Sequence, residues 1–577
     1  MFKNLLFDID NTIFNFHHAE QIALEKIFQK LEKETNYSYN HIKETYLMQK
    51  KIFQNHSGVT GSSHCKFLQL KTLFDKLSIS LNQLNVFSEY YDDEFKKNIL
   101  LYPKCEEFLR FCRLNNINLY CLSNNTSKEQ IDRIKHTGLL DLFNTIYTSE
   151  EFGIEKPDSK LYNHILSLIN GSNNDTAMIG DSFSHDISGP NHINMFAFWL
   201  QDENCFTNKY IQFHDYQFLL ELFQEYFHKT KIFIELSKKM GERFDLVQAG
   251  GGNSSFKMKD YMFIKSSGCG LSEITMYKNY VGIQYVNIKN SIHQINDENK
   301  RKREKNAANL TNNEIVFYKQ YKPSIETTMH TLTNTYTIHL HPIQFNKISA
   351  LKNCKKIISH IFPDSCFIDY FTPGVDVALQ LHNIYKNESI IFLKNHGIVF
   401  THENPEVLQS IIKDTMIKLE NYLDISLDKY KFVNTLSNIM EIVSLQPYFS
   451  YLSEDSVIDN YINKNNLTKH LFKSFFPDKV VYCGNDFVLI EENAKESLEL
   501  NIKNYIHHNG EIPKIFIKKN EDLFLCYICS NSLKKCLEIE SVLKSHLLCY
   551  QKNTELLTDD EIQYLNNWDA EKYRKSL

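Results

Sequence analysis

An apolar run at residues 4–7 stops on Asp8, Ile9 and Asp10. Two carboxylates two positions apart at the C-terminal end of a strand can hold Mg²⁺, and one of them can attack phosphorus while the other handles protons. An Asp-x-Asp by itself also occurs in ordinary loops. Three later stretches fall in an order that favours the site. Residues 119–124 read as a second strand ending in a hydroxyl, Ser123. Glu155-Lys156-Pro157-Asp158 supplies a lysine able to neutralise phosphate charge, and residues 177–182 read as a strand ending in Asp181, with Asp186 shortly after.

The second half is organised around Tyr336-Thr337-Ile338-His339-Leu340-His341-Pro342. Strand side chains alternate, so His339 and His341 share a face and can bind one divalent metal. A His-x-His pair also fits a half-buried strand or a surface patch. Upstream, Pro323-Ser324-Ile325-Glu326-Thr327 offers a carboxylate; downstream, an apolar run from residue 390 leads to Lys394-Asn395-His396-Gly397. Three histidines leave a coordination position open, the arrangement of a catalytic zinc. Gly250-Gly251-Gly252 with Asn253, Ser254 and Ser255 is either an anion-binding turn or a tight hairpin.

At 577 residues the chain is too long for one core. A formal net charge of -6 with 23% charged residues gives no reason to expect nucleic acid or a membrane surface as partner. Asp8 and Asp10 interrupt any apolar core of a signal peptide, and no apolar run approaches a membrane span, so a cytoplasmic protein is expected. Thirteen scattered cysteines, an odd count, fit reduced thiols. Cys526-Tyr527-Ile528-Cys529 reads as buried structure rather than a zinc or redox pair. The charge run at 297–305 reads as a solvated loop, and Thr558-Asp559-Asp560-Glu561 as the capping box of a final helix carrying Trp568 and Tyr573.

The order of motifs in the first 225 residues resembles the haloacid dehalogenase superfamily. That resemblance implies that Asp8 is the nucleophile and Asp10 the general acid and base. Ser123 and Lys156 would bind the phosphoryl group, Asp8, Asp10 and Asp181 would hold Mg²⁺, and Asp186 would orient Lys156. Asn11 stands where glycine is commoner in the family. Helical patterns between residues 16 and 100 look like the family's helical cap, which closes over small phosphorylated substrates.

The stretches from Gln248 to His396 resemble the class II aldolase/adducin family over about residues 235–430. The resemblance implies that His339, His341 and His396 bind Zn²⁺ or a similar transition metal, and that Glu326 is the catalytic acid/base. Asn253, Ser267, Gly268 and Ser324 match phosphate-holding positions, while Ile325 departs from a second serine. The closest form is that of members fused to short-chain dehydrogenases, but no Gly-x-Gly-x-x-Gly follows.

The expected architecture is therefore α/β throughout. A Rossmann-like domain with a helical cap (1–228, cap about 16–100) precedes an α/β aldolase-like domain (233–433) and an α+β C-terminal extension (434–577) for packing or oligomerisation. Family resemblance implies a homo-oligomer, a tetramer. The expected function is metal-dependent condensation of dihydroxyacetone phosphate with a short aldehyde to a ketose 1-phosphate, then dephosphorylation to a free ketose in a biosynthetic sugar or surface polysaccharide pathway. A metal-dependent decarboxylase or epimerase of a phosphorylated sugar acid or sugar, paired with a small-molecule phosphatase, is the alternative. A non-enzymatic adducin-like module would have no need of three histidines and Glu326.

Overall fold

The computed structural model describes residues 1–57, 61–295, 299–464, 469–484, 486–491, 495–519, 523–530, 532–551 and 553–567. The chain forms two compact units. The first comprises Met1–Thr230, Met258–Phe263 and Tyr280–Lys322, and the second Lys231–Lys257, Ile264–Asn279 and Pro323–Leu577. No described helix is long and apolar enough to cross a membrane.

The first unit is built on a seven-stranded sheet of β1 (Asn4–Phe7), β2 (Asn118–Ser123), β3 (Thr145–Thr148), β4 (Thr176–Gly180), β5 (Phe196–Leu200), β6 (Cys205–Phe206) and β7 (Tyr210–Phe213). Their order is β3-β2-β1-β4-β5-β7-β6, parallel except for the β6 edge. Strands β1 and β4 are buried along their whole length, as expected of parallel strands covered by helices on both faces. Leu6, Leu122, Tyr162, Ile165, Met178 and Ile187 share one of its cores. Because β1 lies between β2 and β4, the residues just past these three strands converge at one edge. That edge is the crevice where α/β sheets bind ligands.

Between β1 and β2 stand the helices α1 (Phe16–Glu34), α2 (Tyr39–Ser57), α3 (Lys66–Lys76) and α4 (Leu84–Lys97), which make up the helical cap, followed by α5 (Cys105–Leu114). Each cap helix buries an apolar stripe, such as Ala19, Ala23, Ile27 and Leu31 of α1. Lys66, almost wholly buried in the cap, donates to Glu20 Oε1 (2.5 Å), Tyr46 Oη (3.0 Å) and Gln69 Oε1 (3.0 Å), which satisfies all three ammonium protons.

In the remainder lie β8 (Asn253–Met258), β9 (Tyr261–Lys265), β10 (Tyr280–Gln284), β11 (Ile315–Phe317), β12 (Tyr336–Leu340), β13 (Cys366–Ile368), β14 (Ile390–Leu393) and β15 (Gly397–His402). In the second unit the run β8-β12-β15-β14-β13 is antiparallel apart from the β13–β14 pair. In the first unit β10 pairs antiparallel with β11. The extension adds a four-stranded sheet, β16 (Phe449–Leu452), β17 (Val488–Ile490), β18 (Ile515–Lys519) and β19 (Leu523–Cys529), in the order β16-β19-β18-β17.

One local expectation changes. The charge run is no loop from Lys300 onward: Asn299 Oδ1 accepts from the N–H groups of Arg301 (3.0 Å) and Lys302 (3.3 Å) and starts a helix over Lys300–Asn313. Residues 297–298 lie outside the described residues. A single helix runs from Tyr216 to Gly241. The Thr558 capping box is present, with Glu561 Oε2 accepting from the Thr558 N–H at 2.8 Å, while Trp568 and Tyr573 lie outside the described residues. Every cysteine is free, Cys526 is buried in β19 and Cys529 is half-buried.

Candidate active sites

In the first unit Asp8 follows β1, Ser123 closes β2 and Asp181 follows β4. Lys156 Nζ donates to Asp8 Oδ1 at 2.6 Å and to Asp186 Oδ1 at 2.7 Å, so one buried ammonium joins two buried carboxylates. Burial disfavours the charged lysine, but Asp186 and Asp8 outweigh it and hold its pKa above the ordinary value. Asn124 fixes the backbone that carries Lys156, accepting from its N–H at 2.8 Å and donating to its carbonyl at 2.9 Å. Asp186 Oδ2 accepts from the Ser182 N–H at 3.1 Å. The approach is close enough that a Cβ on Gly180 would lie 2.3 Å from the Asp186 carboxyl.

Asp8, Asp181 and Asp186 each bring an oxygen within 4.8 Å of the others. Burial first, then the neighbouring negative charge of Asp8, lifts Asp181 to about 6; burial likewise raises Asp186, against the pull of Lys156. Clustered, partly desolvated carboxylates of this kind fit a divalent cation, whose charge relieves their repulsion. Asp10, read from the sequence as a further ligand, sends its carboxylate elsewhere. The chain turns directly after β1, where the N–H groups of Thr12 and Ile13 both bond the Ile9 carbonyl. The turn aims Asp10 Oδ2 at Asn125 Nδ2 (3.2 Å) and Gln130 Nε2 (2.8 Å), and Oδ1 at Arg133 Nη1 (3.5 Å). Burial raises the Asp10 pKa against the pull of Arg133. Sequence reasoning missed Asn125, Gln130 and Arg133, which lie on the loop and helix after β2 and carry no strand-end signal.

In the second unit the antiparallel register sets His339 opposite Asn253. His341 lies one residue beyond β12, and the turn joining β14 to β15 carries His396, whose N–H bonds the Leu393 carbonyl at 3.1 Å. The ring centroids of the three histidines lie 4.7–5.1 Å apart. Their candidate ligand atoms all fall within 4.8 Å of one another. Close packing demands glycine here: a Cβ on Gly397 would meet the Leu340 carbonyl oxygen at 2.3 Å and His339 Nε2 at 2.8 Å, and one on Gly251 would meet His341 Nδ1 at 2.8 Å.

Glu326 Oε2 accepts from Asn253 Nδ2 at 2.6 Å and from His339 Nδ1 at 2.8 Å, while Oε1 lies 3.4 Å from His396 Nε2. Burial opposes its charge, but His339 and its neighbours outweigh that and hold the carboxyl well below the usual range. Burial pushes His341 down to about 3 and His396 to about 4, so both imidazoles are neutral at physiological pH. Buried His339 Nε2, His341 Nε2 and Glu326 Oε1 have no hydrogen-bond partner in the protein. Neutral imidazoles with unused ring nitrogens, beside an ionised carboxylate, fit a divalent metal.

Ser324 Oγ lies 3.4 Å from Asn253 Nδ2. Ser267 and Gly268 form an exposed turn, brought alongside by the bridge between Ser266 and Pro323, and Gly268 has φ +86°. Ile325 is 67% exposed. A fourth histidine, His330, also escaped sequence reading: it is fully buried one helical turn past Glu326, with Nδ1 2.7 Å from Ser255 Oγ.

Residues 5–200 match the model of the haloacid dehalogenase-like hydrolases, and residues 231–409 that of the class II aldolase and adducin N-terminal domain. The chain is a fusion of these two families. A ribulose-1,5-bisphosphate 5-phosphatase of Halopiger xanaduensis is 24% identical to the hydrolase domain over 195 residues, 33% of this chain and 81% of the relative. A pyrimidine 5'-nucleotidase of Streptococcus pneumoniae is 27% identical over 202 residues, 34% of this chain and 83% of the relative. Among solved structures, the N-terminal class II aldolase domain of a conserved protein from Thermoplasma acidophilum is 21% identical and covers 33% of this chain and 92% of that one, with a TM-score of 0.30. The fusion thus joins a haloacid dehalogenase-like phosphatase domain, of a fold that implies Mg²⁺ dependence, to a class II aldolase/adducin-like domain, of a fold that typically uses a divalent metal.

Proposed function

We propose that the two domains act in sequence: the aldolase-like domain condenses dihydroxyacetone phosphate with a short aldehyde, and the phosphatase domain removes phosphate from the resulting ketose 1-phosphate. The observation that carries this reading is the convergence of His339, His341 and His396 on one point beside the ionised carboxylate of Glu326. A zinc-type cation held by the three imidazoles would supply a Lewis acid for a carbonyl oxygen. Glu326 is the base that takes a proton from the carbon next to that carbonyl and returns one to the new hydroxyl. Asn253, Ser324, Ser267 and the Gly268 backbone hold the phosphate.

In the phosphatase domain an Asp8 oxygen attacks phosphorus while Asp10 protonates the departing alcohol oxygen. Water then adds to phosphorus, gives its proton to Asp10, and Asp8 is released. Lys156 and Ser123 hold the phosphoryl oxygens, and Asp186 keeps Lys156 in place. The helical cap favours a small substrate, and one similar protein is named as a phosphatase of a ketose bisphosphate. Aldol addition is reversible and phosphate hydrolysis effectively one-way, so the pair would draw carbon toward a free sugar in a biosynthetic direction. A cytoplasmic homo-oligomer is the setting this reading assumes.

The exposed apolar side chain of Ile325 gives a second reading its footing. A decarboxylase or epimerase would use the same histidines and Glu326 without needing a second serine on the phosphate. Incubating the purified chain with dihydroxyacetone phosphate, a panel of short aldehydes, Mg²⁺ and Zn²⁺, followed by mass analysis, separates the two. The first reading expects a free ketose and inorganic phosphate from the parent, and a ketose 1-phosphate from Asp8→Asn. If no aldehyde yields a new carbon–carbon bond, it fails, and 3-oxo acid phosphates become the substrates to test.

A further inference from the structure

Gln130 belongs to helix α6 (Ser127–His136), which begins four residues after β2 ends at Ser123. Its side chain is fully buried, and the single nitrogen Nε2 donates two hydrogen bonds, to Asp10 Oδ2 at 2.8 Å and to Ser123 Oγ at 2.8 Å. With Asp10 ionised the amide has one workable orientation. Turned over, its carbonyl oxygen would face a carboxylate oxygen, and two acceptors would repel.

We infer that Gln130 is a positioning residue for phosphoryl transfer, fixing which oxygen of Asp10 carries the catalytic proton and which way the Ser123 hydroxyl points. The inference rests on the reading of Asp8 and Asp10 as nucleophile and acid/base. Asp10 Oδ2 accepts from both Gln130 and Asn125, so its two lone-pair directions are taken. Among the described residues Oδ1 accepts only the long contact from Arg133 Nη1 at 3.5 Å, so a lone-pair direction on it stays open for the proton. Ser123 is set by the same side chain. Its oxygen accepts from Nε2, so its own O–H is free to donate to a phosphoryl oxygen.

An Asp8 oxygen forms a bond to phosphorus, the phosphorus–ester oxygen bond breaks with its electron pair staying on oxygen, and that oxygen takes the proton from Asp10 Oδ1. Loss of the correct proton placement therefore matters in proportion to how badly the leaving oxygen needs a proton. A nitrophenolate leaves without one; an alkoxide does not.

The guanidinium of Arg133 is itself held fast, 3.0 Å from Glu129 Oε2 and stacked 4.6 Å from the Phe95 ring centroid and 5.3 Å from that of Phe16. Asp10 is therefore bracketed by α6 on both of its oxygens. Among the described residues, however, Gln130 is the one side chain hydrogen-bonded to both Asp10 and Ser123, and the comparison of leaving groups isolates its contact with Asp10.

The measurement is kcat/KM, which reports the first chemical step, for p-nitrophenyl phosphate and for glycerol 2-phosphate with the full-length protein and Mg²⁺. Gln130→Met, near in shape and without donors, should slow both substrates through the unfixed Ser123 hydroxyl, and should lose about 10- to 100-fold more on the alkyl phosphate than on the aryl phosphate. An equal loss on both substrates, or no loss on either, overturns the inference. Should Gln130→Met lack the parent's near-ultraviolet circular dichroism, Gln130→Glu, which keeps the side-chain length, must show the same selective loss. Asp8→Asn run beside them separates the two levels of argument. If it still turns over p-nitrophenyl phosphate at the parent rate, the phosphatase assignment fails, whereas a dead Asp8 variant with unselective Gln130 variants sinks only the positioning role.

Discussion

Glu326 Oε2 lies 2.8 Å from His339 Nδ1. An ionised carboxylate can only accept, so Nδ1 carries the proton and Nε2 keeps its lone pair for a metal. One carboxylate thus sets the tautomer of a proposed ligand and is also the base of the proposed reaction. Glu326→Gln should weaken metal binding by about 10- to 100-fold as well as stop proton transfer. Chelator competition measures the first effect; affinity equal to the parent's would show that the contact does not tune the ligand.

Removing two imidazoles tests whether the histidine cluster holds the proposed transition metal. His339→Ala/His341→Ala should leave the protein without it, while Mg²⁺-dependent release of phosphate from p-nitrophenyl phosphate stays within about twofold of the parent, since additivity holds for sites with no shared partners. Elemental analysis after gel filtration gives the answer, and a full complement of metal would move the site elsewhere.

Gly180→Ala tests the support of Lys156. The new methyl would lie 2.3 Å from Asp186 carboxyl atoms, so the Asp186–Lys156 pair must shift. A displacement of about 1 Å at a catalytic group costs on the order of 100-fold. Phosphatase kcat should fall by about that factor, with metal content of the histidine site unchanged.

Glu242 gives a pH-dependent stability. It is buried, accepts from Asn434 Nδ2 (3.0 Å) and Ser437 Oγ (2.9 Å), and burial lifts its pKa from 4.5 to about 7. The folded state therefore binds the proton more tightly than the unfolded one. Its contribution is greatest below pH 4.5 and declines as pH rises to about 7, by an amount on the order of 3 kcal/mol. Glu242→Gln removes that decline, so the stability difference between variant and parent should grow in the variant's favour from pH 4.5 to 7 in urea unfolding. A difference independent of pH would refute it.

The residues legible in the sequence were those that end strands or sit beside glycine. Asp8, Ser123 and Asp181 stand out because an apolar run stops on each, and His339 and His341 because strand alternation pairs them. Gln130 and Arg133 were illegible because a polar residue on a helix looks the same whether it faces solvent or a catalytic carboxylate. His330 was missed for a related reason, since nothing in Thr-Thr-Met-His-Thr marks it as buried against Ser255. The helix after Asn299 was hidden by its own charge: with almost no apolar stripe to detect, its start depends on one side-chain cap. The double use of Asp10, expected as a metal ligand, was decided by a backbone turn that no spacing rule encodes.

Pairing Asn253 with His339 rung for rung also limits how this chain can vary in length. Side chains in a strand change face with every residue, so inserting or deleting one codon between Gly252 and Ser255 would bring a neighbour opposite His339 and turn the asparagine away from Glu326. Point changes in β8 can be absorbed by repacking. A frame-preserving indel there cannot, and natural or engineered length changes should be confined to the loops beyond the strand ends.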